Sequence, residues 1–326
     1  MLTNSSSTLA VAMRDITSET ALWLSTVLLK YCLNTLLAII ATVTNILNAI
    51  VFCRMGFASG LNQNFLLLSV MDFLYSVGQV SICGGIIVNA LGLWKSPLSP
   101  SSFYKLGLSV SSLPQFASVI TTTMIAVVRC YSVVLPLKVK IILSPRRQIT
   151  AILLIFCVYF GFALNVFFCL ELTWTYKEET NSSQLTLTTC SEFSRRQQLY
   201  DICRSLLLYT AFTTVAVCLL ALLVALWHSS RFKTSVSNKR DIQVMRTVTI
   251  VSAIFVLCNL PAMVIPIIRQ LWPAFKLRGY LTRSFQLWLM VIETNTLINT
   301  FANIFIFYFS STLYRKAFQE TFCKMA

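Results

Sequence analysis

The chain has 326 residues, of which 56% are hydrophobic and only 11% charged, and it carries a formal net charge of +15. A soluble domain averages roughly 25% charged residues, so a water-soluble globular fold is excluded. The positive balance does not indicate nucleic acid as a partner, because the basic residues flank long apolar stretches, where they meet anionic lipid.

Residues 1–26 are polar and lack the basic, apolar, small-residue order of a cleaved signal peptide. They read as an extracellular tail, and the sequon Asn4-Ser5-Ser6 makes Asn4 a glycosylation candidate. Seven apolar stretches follow, at 27–53, 62–90, 103–133, 150–170, 200–227, 244–268 and 285–309. Each reaches the ~20 residues of helix that cross ~30 Å of hydrocarbon. Within lipid every backbone N–H and C=O must find its partner in the same segment, which selects helices. The expected fold is therefore an all-α membrane protein: a seven-transmembrane helix bundle over 27–309, then residues 310–326 as a short membrane-lying C-terminal helix and cytoplasmic tail.

The connections are short. The first, 54–61, is broken by Gly56 and Gly60, as a helix hairpin requires. The second carries Lys138, Lys140, Arg146 and Arg147, and the third Arg231, Lys233, Lys239 and Arg240. With the amino terminus outside, the basic residues divide almost evenly between the two sides. Of the acids outside the spans, only Asp241 and Glu320 then fall on the inner side. The second sequon, Asn181-Ser182-Ser183, falls on the same outer side as Asn4, so Asn181 is also a glycosylation candidate. This topology gives a multi-pass protein of the plasma membrane with an extracellular N-terminus. In the last segment the apolar Leu313, Phe318 and Phe322 alternate with Arg315 and Lys316, the pattern of a helix lying on the inner leaflet. Cys323 at its end is a palmitoylation candidate.

The 11 cysteines show no Cys/His metal spacing, and most sit inside spans, where a thiol packs as a small apolar group. Cys190 differs, because it lies in the loop after the fourth span. Its candidate disulfide partners are Cys83, Cys169 and Cys203, and the sequence does not choose among them.

Ionisable residues inside a span are expensive and mark function. Asp72 is the acid deep within a span. Ser118, Asn45, Asn299 and Asn303 lie at comparable depth, the last two four apart on one helix face. Together they form a polar network able to hold water or a bound Na⁺, the one cofactor expected; the alternative is that they hold helices together by hydrogen bonds. Arg129 lies almost three turns beyond Ser118, at the edge of the third span. Asp241 opens the sixth at the same level. The pair suits a two-state latch, against the alternative of an arginine reaching lipid phosphate. Pro261 removes a helix hydrogen bond and supplies a hinge above that latch.

In order and spacing these residues resemble the rhodopsin-like G-protein-coupled receptors, over roughly residues 27–323. The resemblance rests on Asn45, on Leu68-Ser69-Val70-Met71-Asp72, and on Val128-Arg129-Cys130-Tyr131 where Asp-Arg-Tyr is usual. It continues in Cys258-Asn259-Leu260-Pro261, Asn303-Ile304-Phe305-Ile306-Phe307 and Tyr314-Arg315. It implies that Asp72 is a sodium-pocket acid, that Arg129 and Asp241 serve G-protein coupling, and that Pro261 is the sixth-helix hinge. The runs around Asn45–Asn48 and Phe52–Gly56 look most like invertebrate peptide-type and chemosensory receptors. Departures are plain: Val128 replaces the usual acid, Asn259 the toggle tryptophan, and Ile304 and Phe307 the seventh-helix proline and tyrosine. Tyr104 replaces the third-helix cysteine that would pair with the loop cysteine, and the fourth span lacks its tryptophan.

The resemblance also bears on ligands. Leu297 stands where retinal-binding members carry lysine, and Ser111 where amine receptors carry aspartate. Ser111, Gln115, Arg204 and Glu293 are the ligand-binding candidates. Glu293 is expected either to receive a cationic group of a peptide or to pair with a rim arginine. Arg195, Arg196, Arg204, Arg269, Lys276, Arg278 and Arg283 would form a basic mouth that steers acidic groups. The function expected is transduction of a peptide or chemosensory cue to heterotrimeric G proteins. The competing readings are a receptor-like protein that no longer signals, and a transporter, for which the inverted repeats are lacking. The lone His228 has no positioned catalytic partner, so no enzyme is expected.

Overall fold

The computed structural model describes residues 15–57, 59–134, 143–177, 182–231, 239–272, 274–275 and 281–322. Asn4, Asn181 and Cys323 lie outside the described residues, as do the side chains of Asp241, His228, Arg269, Lys276 and Arg278.

Among the described residues seven helices are long and apolar enough to cross a membrane. They are α1 (Glu19–Met55), α2 (Gly60–Ala90), α3 (Pro100–Val134), α4 (Pro145–Phe167), α5 (Phe193–Arg231), α6 (Lys239–Leu271) and α7 (Thr282–Ser310). An eighth, α8 (Thr312–Phe322), follows after a single extended residue, Ser311. The helices outrun their expected apolar cores because polar first and last turns remain helical beyond the hydrocarbon. Ser18 caps α1 by accepting from the Ala21 amide, and Gly56, at φ 83°, ends it. Residues Thr26–Asn34 of α1 form a wide i→i+5 turn, a local feature that often accompanies a site.

The sequence reading puts the N-terminal tail at 1–26, yet the helix of the first span begins at Glu19, and Asp15 and Thr17 before it are tied to another helix. Asp15 accepts from the backbone amides of Arg283 and Ser284 and from the Ser284 hydroxyl, capping α7 from a distant part of the chain. The loop after the fourth span, for which no conformation is expected from the sequence, is built of regular structure. It holds strands β1 (Leu170–Lys177) and β2 (Ser182–Thr189), paired antiparallel from Leu170↔Thr189 to Lys177↔Ser182. Cys190 pairs with Cys169 across the open end of this hairpin, which decides among its three candidate partners, while Cys83 and Cys203 stay free.

The hairpin is tied to the start of α3. Ser99 N donates to Leu185 O, Leu185 N to Pro97 O, and Leu187 N to Ser102 Oγ. These bonds stand where Tyr104 leaves no cysteine to make a covalent link. The end of the bundle that carries the hairpin is called the hairpin end below, and the other the Arg129 end.

Helices α2 and α3 approach closely through glycine. A Cβ on Gly78 would run into Ser111 Oγ, and one on Gly107 would sit 2.6 Å from Ile82 Cγ1. Small residues at helix contacts are how membrane bundles reach close van der Waals packing. At the Arg129 end, Phe52, Phe65, Phe307 and Tyr314 join α1, α2, α7 and α8, with Phe65 and Phe307 centroids 4.6 Å apart. The Tyr314 hydroxyl donates to Asn48 Oδ1, which seats α8 against the bundle.

Candidate ligand cavity and polar axis

A cavity of about 570 Å³ opens between α1, α2, α3, α5 and α7 toward the hairpin end. Its wall is mostly apolar, with Ile86, Leu108, Leu289, Met290 and Ile292 among the lining residues. All four ligand candidates, Ser111, Gln115, Arg204 and Glu293, line it. A concave, mainly apolar space with a few converging polar groups is the usual form of a small-molecule site.

The expectation that Glu293 pairs with a rim arginine is corrected. Its partner is Lys30, whose ammonium lies 3.8 Å from Glu293 Oε2. Lys30 also donates to the Tyr104 hydroxyl. Lys30 stands on the wide turn of α1, where sequence reasoning passed over it because it sits at the edge of an otherwise apolar span. The signal was available: a lysine inside a span needs a partner, and Glu293 was the acid at matching depth. Ser111 is buried and pressed against Gly78, so its hydroxyl serves the α2–α3 contact as well as the cavity wall.

Gln115 links this cavity to what lies beneath. It lines the large cavity, a 40 Å³ space beside Asn259, and a 10 Å³ space beside Asp72. Thr296 lines all three as well. Asp72 itself is buried and bridges three helices: Ser118 Oγ donates to Oδ1 at 2.6 Å, and Asn303 Nδ2 to Oδ2 at 2.9 Å. The expected network is thus brought together in part. Asn299 lines the small space without a hydrogen bond to the carboxylate among the described residues. Asn45 is directed elsewhere: its amide donates to the Ala41 and Thr300 carbonyls, joining α1 to α7. A helix backbone within reach offers acceptors that a carboxylate already taken up by Ser118 and Asn303 does not.

The donor set fits a small hard cation in chemistry, with the Asp72 carboxylate, the Ser118 and Thr296 hydroxyls and the Asn299 amide oxygen around a space of 10 Å³. That volume matches about one water. Among the described residues there is no cluster of three or more His, Cys, Asp or Glu for a heavier metal.

Helix α6 runs through Pro261 and Pro266 as one helix. The Pro261 carbonyl accepts from Trp288 Nε1 at 3.0 Å, tying the prospective hinge to α7. At the far end Arg129 lines a 300 Å³ cavity with Val244 and Thr247 of α6 and Tyr314 of α8. The backbone of Asp241 lies in the first turn of α6.

A family model described as "7 transmembrane receptor (rhodopsin family)" matches residues 44–303. The match spans most of the chain and coincides with the seven-helix bundle, and the chain belongs to that family. It is a multi-pass membrane receptor of the signalling type rather than an enzyme. No curated protein matches it.

Proposed function

We propose that this receptor converts binding of an extracellular ligand in the 570 Å³ cavity into activation of a heterotrimeric G protein at the Arg129 end. The observation that carries this reading is the alignment of three spaces through shared walls. The ligand cavity, the Asn259 space and the Asp72 space all share Gln115 and Thr296. A ligand that repacks Gln115 therefore touches the group that stands over Asp72, and through Ser118 it reaches the same helix that carries Arg129. A bundle with two packings gives two populations, and a ligand shifts them by its differential affinity.

In this reading the hairpin end faces outward at the plasma membrane, and both sequons, Asn4 and Asn181, are glycosylated. Arg129 pairs with Asp241 in the resting state, α6 swings about Pro261, Na⁺ or a water occupies the space at Asp72, and Cys323 is palmitoylated. The ligand is a peptide or chemosensory cue of the invertebrate type, and the tail, the bundle and the segment after residue 310 act as the three parts expected.

The test is G-protein dissociation in cells expressing the chain, beside Arg129→Ala and Asp241→Ala at matched surface levels. The expected result is raised basal signal in Asp241→Ala and loss of signal in Arg129→Ala. Equal signal from all three, above that of untransfected cells, overturns the latch. Silence across all G-protein classes, with or without ligand, favours a receptor that no longer signals.

A further inference from the structure

The charges that line the central cavity do not balance once their contacts are counted. Glu293, the acid among its lining residues, is already matched by Lys30 at 3.8 Å. Arg204 is the remaining cation on the wall, and it forms no ion pair among the described residues. The neighbouring acid on its own helix, Asp201, accepts instead from Gln197 Nε2 at 3.0 Å. Arg204 is an exposed residue, and among the described residues no carboxylate pairs with its guanidinium, which leaves it able to meet a complementary charge in whatever fills the cavity it lines.

Arg204 also stands at a junction. It lines the central cavity, the 40 Å³ space beneath, and a separate side cavity of 170 Å³ between α3, α4 and α5. The two larger cavities differ in chemistry. The surface that the central one exposes is mainly apolar, whereas that of the side cavity is mainly polar, with Ser109, Ser112, Gln197 and Tyr200 lining it beside Arg204. Hydroxyls continue inward from there: Ser112 Oγ lies 3.4 Å from Tyr200 Oη, and Tyr200 Oη lies 2.5 Å from Tyr159 Oη. The Ser109 and Ser112 hydroxyls donate to the Lys105 and Ser109 carbonyls and Gln197 Nε2 donates to Asp201, so the guanidinium itself is the group that an anion would meet there.

We propose that the ligand of this receptor is a small amphipathic monocarboxylate, its carboxylate held by Arg204 at the mouth of the side cavity and its apolar body lying in the central cavity. This rests on reading the central cavity as the ligand site and names what it takes. Arginine's planar fork matches a carboxylate with two parallel hydrogen bonds. A single uncompensated cation neutralises one negative charge, which favours a carboxylate over a doubly charged phosphate, since Lys30 is engaged by Glu293. The expectation of a cationic ligand group at Glu293 is replaced by an anionic one at Arg204.

The experiment is direct binding to the purified full chain in lipid nanodiscs, with no signalling readout, so that its outcome is independent of whether the receptor activates a G protein. The probes are phenylacetate, phenylpropionate and phenylbutyrate, each beside its amide and the amine of the same length. The expected result is a raised melting temperature and measurable binding heat with at least one carboxylate and with none of the amides or amines. Arg204→Gln should weaken that binding by about tenfold or more, as loss of a hydrogen-bonded charge does. Arg54→Gln, which removes the same charge from the exposed last turn of α1 at the Arg129 end, should leave it unchanged. Arg204→Glu, which reaches the nanodisc with an unaltered melting temperature if Arg204 carries no structural contact, should turn the preference toward the amines. Equal binding of amines and carboxylates, retention of binding in Arg204→Gln, or no binding of any carboxylate at millimolar concentration overturns the proposal.

Discussion

Lys30 and Glu293 are both mostly buried, with 13% and 20% of their side chains accessible, so the pair has lost most of its water. Two charges removed from water together can come out near neutral, but one of them left alone cannot. Lys30→Met should therefore destabilise the receptor by about 3 kcal/mol, and Glu293→Gln added to it should recover most of the loss. Thermal unfolding of the three variants in nanodiscs checks this, and additive losses would show that the two groups do not interact. Asp15 poses the complementary case at the surface. Burial acts to raise its carboxyl, but hydrogen bonds from Ser284, Thr17 and Arg283 outweigh that, and the net direction is down. A carboxyl depressed by folding stabilises the folded state above its unfolded pKa and loses that effect as pH falls through the folded one. Asp15→Ala should thus cost about 1 kcal/mol at neutral pH, the size of a lost helix cap, and almost nothing well below pH 4. Melting curves of wild type and variant at the two pH values should converge in acid.

The elements show where local sequence suffices and where it does not. Apolar length alone placed all seven spans, because a helix in lipid has no alternative partner for its backbone. The hairpin was legible in principle: Leu170-Glu171-Leu172-Thr173-Trp174-Thr175-Tyr176 alternates with period two, with Leu172, Trp174 and Tyr176 exposed on one face. It was passed over because the segment sits between two spans, where a loop is the default. The α2–α3 contact could not be read from sequence, since a glycine in a span does not announce which helix it faces. Gly78→Val should push α2 from Ser111 and lower stability by about 2 kcal/mol, the cost of overpacking a close contact. The same substitution at Gly84, whose Cβ would meet nothing, should cost less than half of that, and the difference in melting temperature reads it. Equal costs at the two positions would show that helix propensity rather than the contact decides.

At the scale of the whole molecule, the bundle keeps its polar groups on one axis from the ligand cavity to the Arg129 end. Gln115, Asp72, Ser118 and Asn303 follow one another inward, with Pro261 on α6 held to α7 by Trp288. Such an arrangement would make the proposed signalling a property of the bundle rather than of any one motif. It explains how the chain can depart from the family at Val128, Asn259, Ile304 and Phe307 and keep the architecture. Phe307, where a tyrosine is usual, is buried in the aromatic cluster with Phe52 and Phe65, so the position serves packing here.

Sequence by itself determined the class, the number of crossings, the isolated acid at Asp72 and the set of residues that had to be polar inside lipid. All of these follow from one-dimensional rules, because the membrane sets the length of a span and penalises every charge within it. Tertiary structure decided the pairings. It gave Glu293 to Lys30, Cys190 to Cys169, the α7 cap to Asp15, and Asn45 to the backbone of Thr300 rather than to Asp72. Each of those choices depends on which helix faces stand within a few ångströms of one another, and a hydrogen bond or ion pair decays over that same distance.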